Sequence, residues 1–588
     1  MRNIINNYDP DFYIKNDNWL LMRRNLHFLF EQREIDLINK AECRFSIKKR
    51  TIVYLSFENR FASLGGLAAV SHFLPSGLKD SGEKVIFLTP FHSNRNTKNA
   101  LKKGILKKKF CNLIFHLCNC KLVMNCYEDT GSAIPSYFLQ ISGRFFAGEN
   151  PYEYQDSEQL LLDSLSFCAV VPFALKKLGY DSSLIIHAND WETAPIAITS
   201  KLSVLSNVLK QARTILTLHN SFDKGVSAAH KLMFFGKNIP GDTVLQCSIP
   251  FLNGPLTTVS SCFAHELRCD PLQRGTFTDH LQYEFSKNPP IGIENGLFGN
   301  FRVPFNREII IAAENKDYNL LLKEKNHHKN LFLTRLRSLH DKRVIGKINF
   351  KNPKTPVFFM SGRLDIMQKG FDVIFHAFKK LPTGSAKLVF CPSSGNNEIK
   401  FFEQITKECN GDIVVCPFRV PRTDYNIFLK GASYLIMPSF YEPFGAATEG
   451  YIHGTPVLAR GTGGLWTQIS SITKNKIPEY YNNLLKLKNQ KQCPTGILYR
   501  EAYKGKKLDE EWKKLLRYPL SERPKNRLYS SMVSSAHNAL CDAIEIYSKP
   551  EIYAEMILNG INMLKLFTWE DAVKKYQIIY DTASYRGV

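Results

Sequence analysis

Residues 437–465 read MPSFYEPFGAATEGYIHGTPVLARGTGGL. A short apolar strand runs into Glu442-Pro-Phe-Gly445, a helix-length stretch follows, and a second strand ends in Gly461-Thr-Gly-Gly464. Two strand-to-helix turns thus fall within one α/β unit. The first carries a carboxylate, the second a glycine-rich loop with a hydroxyl. Open α/β sheets bind ligands in the crevice at the carboxyl ends of their strands, where helix N-termini present free N–H groups to phosphate. The stretch therefore predicts a parallel sheet with a nucleotide site at its carboxyl edge.

Strand and helix patterns alternate on both sides of it. Apolar runs at TPVFFMSGRLD (355–365), KLVFCP (387–392), DIVVCPF (412–418), SYLIMPS (433–439) and TPVLARG (455–461) form one set. An earlier set comprises TIVYLSF (51–57), KVIFLTP (84–90), SLIIHAND (183–190), TILTLHN (214–220) and LTTVSS (256–261). This alternation predicts α/β architecture in two parallel-sheet domains, each sheet covered on both faces. The expected boundaries are an extension at 1–47, a first domain at 48–300, a second at 301–565 and a closing helix at 566–588. Residues 561–581, INMLKLFTWEDAVKKYQIIYD, carry apolar and aromatic residues at helical spacing.

Composition bounds the function classes. The 588 residues exceed one core, and 44% apolar with 12% aromatic residues suffices to fill two. No run approaches the roughly 18 uninterrupted apolar residues of a membrane span, and the start, MRNIINNYDPDF, lacks the apolar core of a secretion signal. The expectation is a cytoplasmic protein. The 14 cysteines form no small-domain disulfide framework. Cys111, Cys118, Cys120 and Cys126 with His116 match no common zinc spacing; CNLIFHLCNCKLVMNC alternates like paired strands, so buried thiols and no metal are expected. Lys and Arg exceed Asp and Glu by 23. The basic clusters, such as Lys107 to Lys109, lack a nucleic-acid motif, which leaves a solvated surface or a peripheral membrane contact and disfavours nucleic acid.

Several residues sit where they can do chemistry. Arg363 and Lys369 follow a strand and bracket a turn, so both can reach the crevice and neutralise a diphosphate, Arg as a fork and Lys as a point charge. Glu442 precedes a helix and can accept hydrogen bonds from sugar hydroxyls, while the N–H groups of Phe444, Gly445 and Ala446 face a nucleotide. A capping carboxylate is the plainer reading of Glu442. Gly65 and Gly66 follow a strand and open a helix, which lets backbone approach phosphate. Asp190 and His219 each end an apolar strand, where polar residues either cap the next helix or line a cleft.

Taken together, these segments resemble the retaining GT-B glycosyltransferases, and most closely the bacterial glycogen and starch synthases, over about residues 50 to 582 in matching order. The resemblance implies two Rossmann-like domains facing a cleft, with the C-terminal helix returning to the first domain. It implies that Glu442 grips the donor sugar beside Thr462, Gly463 and Gly464. Asp190 matches the Asp of the family's HxHDWH motif and His219 the His of its hydrophobic-HN motif, both at the catalytic centre. Tyr152 and Asn295 match positions in the same cleft, as an acceptor-side and a donor-side contact. Closure of the domains is expected to bring Arg363, Lys369 and Glu442 against Asp190 and His219. The family requires no metal or other cofactor. Asp9-Pro-Asp11 is therefore a turn.

The implied activity extends an α-1,4-glucan acceptor from ADP-glucose or UDP-glucose. The chain departs from the family pattern at identifiable places. Ser63 stands where the first-loop Lys is usual, Asn189 and Glu192 replace histidines around Asp190, and Phe298 replaces an Asp after Asn-Gly. The segment from Glu442 to Gly454 is one residue short, and that from Arg363 to Lys369 one residue long, as in animal and fungal glycogen synthases. No base-stacking aromatic is evident near Val420, although Phe418 is close in sequence. These departures keep open a different donor, a lipid or protein acceptor, or a silent glucan-binding homologue.

Overall fold

The computed structural model describes residues 50–583 except 118–119, 155, 203–208, 210–211, 299–302, 350–353, 393–398, 474–477, 479–492, 504 and 506. The 1–47 extension with its Asp9-Pro-Asp11, and Cys118, lie outside the described residues. The chain forms two compact units. The first spans residues up to Arg268, Phe277–Phe298 and the C-terminal segment from Thr568; the second spans Cys269–Thr276 and Gly299–Phe567.

Among the described residues the first unit is built on nine strands: β1 (Thr51–Leu55), β2 (Lys84–Pro90), β3 (Leu106–Leu117), β4 (Cys120–Asp129), β5 (Ser136–Ile141), β6 (Leu184–Asn189), β7 (Arg213–Leu218), β8 (Thr257–Thr258) and β9 (Ile291–Gly292). Their order is β3-β4-β5-β2-β1-β6-β7-β8-β9. All pairings are parallel except β3 with β4 and β4 with β5. Strand β1 is flanked by β2 on one side and β6 on the other, so the order reverses there and opens the crevice in which such sheets bind ligands. The alternating side chains of β1 explain its burial on both faces: Ile52 and Tyr54 join one core, Val53 and Leu55 the other. The helix Ser157–Lys177 is long and apolar enough to cross a membrane by composition, but it packs in that second core.

The cysteine expectation needs correction in part. The 111–126 segment does form paired strands, and Cys126 is buried, but Cys111 is exposed because β3 is the sheet edge. The 561–581 helix is also broken. One helix ends at Met563, and a second, Trp569–Thr582, starts where the Thr568 hydroxyl caps the Asp571 N–H at 3.1 Å. The second helix belongs to the first unit. Tyr576, Ile579 and Tyr580 join the core of Ile52 and Tyr54, and the Tyr580 hydroxyl meets His187 Nδ1 at 2.9 Å. His187 Nε2 meets Thr217 Oγ1 at 2.7 Å, and burial holds the ring neutral. We expect Tyr580→Phe to leave a buried ring nitrogen unpaired and cost about 1–3 kcal/mol, read as a lowered midpoint in denaturant titration.

Among the described residues the second unit carries seven strands: β10 (Ile345–Ile348), β11 (Val357–Gly362), β12 (Lys387–Pro392), β13 (Asp412–Val415), β14 (Tyr434–Met437), β15 (Val457–Arg460) and β16 (Gly496–Tyr499). The order β10-β13-β12-β11-β14-β15-β16 is parallel apart from the edge strand β10. Here the order reverses at β11, between β12 and β14. The turns after β11, β14 and β15 therefore meet at one end of the sheet.

Candidate active site

In the second unit an open cleft lies at the carboxyl ends of β11 and β14, lined by Ser361, Arg363, Lys369 and Ser439 among others. Lys369 Nζ sits 2.6 Å from Glu442 Oε2, which also accepts the Ser439 hydroxyl at 2.8 Å. The turn between Arg363 and Lys369 is held from inside. Gln368 accepts from Arg363 Nη2 at 3.0 Å, and its backbone oxygen accepts the Phe440 N–H at 2.7 Å. The structure thus brings Arg363, Lys369 and Glu442 to one edge, with both partners of the Lys369–Glu442 pair reaching solvent.

The glycine loop is packed against the Glu442 turn. Gly464 N–H donates to Glu442 O and Pro443 O, both at 3.1 Å. A Cβ on Gly463 would stand 1.9 Å from Glu442 O, and one on Gly464 1.8 Å from Phe444 O, so neither position has room for a side chain. Gly463 also has φ +47° and Gly445 φ +87°, in the region that favours glycine. Gln468 staples the turn, accepting from Ala447 N–H at 3.0 Å and donating to Phe444 O at 2.8 Å. The amides of Gly445 and Ala446 have no hydrogen-bond partner among the described residues. Thr462 is buried in the loop.

Behind these loops stands a buried ionic scaffold. Arg460 donates to Phe440 O at 2.6 Å and pairs with Glu501 at 2.8 Å. Arg500 donates to Gly461 O at 2.5 Å and to Asp270 Oδ2 at 2.6 Å. Burial alone would raise the Glu501 carboxyl, but Arg460 and Arg500 outweigh it and hold it at about 2.

The first unit gathers its own polar residues beside the β1 and β6 ends. Asp190 follows β6 with φ +59°, a strained conformation for a residue with a side chain. Its carboxylate accepts the His219 backbone N–H at 2.6 Å and Asn220 Nδ2 at 3.1 Å. Desolvation pushes the Asp190 carboxyl up to about 7; the His219 N–H opposes this, and the charge of Glu58 adds to it. The His219 ring donates from Nε2 to Asn189 Oδ1 at 2.8 Å, and burial lowers its pKa. Asn189 also accepts from Tyr54 OH and donates to Leu55 O, so it fixes the ring. Glu192 is buried with Oε2 unpartnered among the described residues, and desolvation followed by Asp190 raises its pKa.

Glu58 is the residue the sequence reading missed. Its Oε2 accepts the N–H groups of Leu64 and Gly65 at 3.0 and 3.3 Å, and its Oε1 accepts the Tyr152 hydroxyl at 3.0 Å. Gly65 and Tyr152 are thereby linked, and the Gly65 amide is already engaged by the Glu58 carboxyl, whose pKa burial raises. Gly65 and Gly66 are exposed, and a Cβ on Gly65 would meet nothing within 4 Å. Asn295 is buried with Oδ1 unpartnered among the described residues. Only a carboxylate seven residues ahead of the Gly65-Gly66 turn could have signalled Glu58, a weak pattern by itself.

Known proteins resemble this chain in both units. Residues 51–268 match the model of the starch synthase catalytic domain, and residues 341–473 that of group 1 glycosyl transferases. The glycogen synthase of Petrotoga mobilis is 26% identical over 441 residues, covering 71% of this chain and 84% of that protein. That of Thermotoga maritima is 28% identical over 439 residues, covering 70% and 83%. The chain is similar to the glycogen and starch synthases along most of its length. It is accordingly a glycosyltransferase. The fold agrees: the catalytic domain of starch synthase IV from Arabidopsis thaliana, solved with ADP and acarbose, superposes with TM-score 0.66 at 18% identity, covering 91% of this chain and 99% of that one.

Set beside the glycogen synthases, the departures acquire structural content. Ser63 is exposed on the first loop. Phe298 lies 3.8 Å from where a Gly66 Cβ would be and packs near Trp569, whose indole N–H donates to Leu297 O at 2.7 Å. Phe418, the aromatic nearest the expected base position, has the Arg343 guanidinium 4.5 Å over its ring, and Val420 is buried. Glu449, a second carboxylate on the helix after Glu442, was also passed over; it accepts the Tyr425 hydroxyl at 3.1 Å.

Proposed function

We propose that the protein is a retaining glucosyltransferase that extends an α-1,4-glucan from ADP-glucose or UDP-glucose in the cytoplasm. The observation that carries this reading is the Lys369–Glu442 pair at 2.6 Å beside Arg363, at the switch point of the second sheet. A cation and a carboxylate side by side suit the two ends of a sugar phosphate. Arg363 and Lys369 neutralise the departing diphosphate, and Glu442 accepts hydrogen bonds from sugar hydroxyls, assisted by the Gly445 and Ala446 amides and the loop of Thr462, Gly463 and Gly464. Asp190, with the ring and backbone of His219, stabilises positive charge at the anomeric carbon, and Tyr152 and Asn295 contact the sugars. Retention follows from attack on the face the leaving group vacates.

The role of Asp190 has a pH signature. Its carboxyl titrates near 7, so the anion that stabilises an oxocarbenium-like centre accumulates as pH rises through 7, and kcat/KM should rise over the same range. Stability runs the other way. Between the unfolded value near 4 and about 7 the native state holds a proton the unfolded chain has released, so the Asp190 contribution to stability declines as pH rises through that window and is level above it. Asp190→Asn should remove the alkaline rise in activity and flatten that part of the stability profile. A pH–rate series paired with thermal melts checks both.

A donor panel tests the proposal itself. Purified full chain with glycogen should release nucleotide from one of the two glucose nucleotides and incorporate label into the polymer. Ser63, and the Arg343-covered ring of Phe418, favour as second reading a different nucleotide sugar. Consumption of another donor while both glucose nucleotides are ignored would replace the first reading with the second.

A further inference from the structure

Between Glu83 and Glu128 the chain contains no Asp or Glu and nine Lys or Arg. This acid-free segment forms one end of the first unit's sheet. The helix Arg95–Lys102 packs on β3, the edge strand, and Lys98, Lys102, Lys103, Lys107, Lys108 and Lys109 are all exposed there. Lys109 is paired with Glu128 at 2.9 Å; the ammonium groups of the other five make no hydrogen bond or ion pair among the described residues. Two apolar side chains are exposed on the same elements, Leu101 on the helix at 37% and Ile114 further along β3 at 51% exposure.

We propose that this edge docks onto an anionic phospholipid membrane. Lysines on an edge strand deter pairing with other strands, which accounts for Lys107 to Lys109. It does not account for the cations on the helix and turn, nor for the exclusion of carboxylates, since soluble surfaces intersperse both signs. A second copy of the chain is a poor occupant. The register shifts of β3 between Lys108 and Phe110 and between Phe110 and Leu113 disrupt the edge as a pairing template, and two like-charged edges repel. Single-stranded nucleic acid requires exposed stacking rings, whereas Phe110 packs against the core. A lipid headgroup layer accepts cations and apolar tips together, each cation near the surface adding to the attraction and the tips entering the interface.

The test is co-sedimentation of the full chain with phosphatidylcholine vesicles containing about 30 mol % phosphatidylserine, against phosphatidylcholine alone. The protein should partition onto the anionic vesicles only, and rising salt should release it. A variant carrying Lys102→Glu, Lys103→Glu, Lys107→Glu and Lys108→Glu should lose at least about tenfold in partitioning while keeping its sugar-transfer rate. A second variant with Lys323→Glu, Lys342→Glu, Lys347→Glu and Lys407→Glu, exposed positions of the other unit, makes the same change in net charge and should retain most of the binding. Four Lys→Gln changes at the first set give a milder version if the charge reversal impairs folding. No binding to anionic vesicles, equal loss in both variants, or capture of RNA in place of vesicles would overturn the proposal.

Discussion

Glu442→Ala is expected to reduce kcat/KM for sugar transfer by about 10²–10³-fold while the fold persists, the size of effect seen when a positioned polar group is removed from a transition-state site. The carboxylate holds Lys369 at 2.6 Å and Ser439 at 2.8 Å, and in the proposed mechanism it also grips the donor sugar. Alanine removes the grip and frees the ammonium from its partner. Because the Lys369 and Glu442 side chains remain 21% and 14% exposed, water can replace the lost contacts, and the stability change should stay near about 1 kcal/mol. Steady-state kinetics and a denaturant titration of the same preparation separate the two effects. A stability loss of several kcal/mol with a proportionate loss of activity would make Glu442 a structural cap instead.

Gly464→Ala should do the reverse and act through the backbone. The new methyl would stand 1.8 Å from Phe444 O, a rigid main-chain atom, so the 461–464 loop has to move off the Glu442 turn to which Gly464 N–H is bonded. Overpacking of this kind costs about 1–3 kcal/mol or more, and the displacement carries Glu442 out of position, so activity should fall more than about a hundredfold. Gly65→Ala is the matched control: nothing lies within 4 Å of its Cβ, and stability should change by less than about 1 kcal/mol. A Gly464→Ala protein with unchanged melting and activity would mean that the two loops are not coupled.

The parts of the fold that were legible in the sequence are those written by local pattern. The runs at 51–55, 84–90, 184–189 and 213–218, and at 357–362, 387–392, 412–415, 434–437 and 457–460, are continuous apolar stretches between turn residues, and each is a strand. Arg363, Asp190 and His219 stand directly after β11, β6 and β7, and Lys369 and Glu442 lie in the turns that follow β11 and β14, positions that the alternation of strand and helix patterns locates. What was not legible depends on contacts distant in the chain. Arg460 and Arg500 hold Phe440 O and Gly461 O through partners at Glu501 and Asp270, and no local spacing announces such a scaffold. Glu58 occupies the amides of Leu64 and Gly65, so a loop whose glycines suggest phosphate already carries a carboxylate. The helix break at Thr568 was hidden because apolar spacing continues across it, and Cys111 was read as buried because alternation does not say which strand lies at an edge.

Linkage analysis of the sugar polymer would show whether the chain is a retaining α-1,4-glucan synthase. The purified chain would be given each glucose nucleotide with a short α-1,4-glucan, and the product examined by proton NMR beside the Glu442→Ala protein. New α-1,4 linkages are expected from one of the donors and none in the variant. New linkages of inverted configuration, or equal synthesis by the variant, would contradict that expectation.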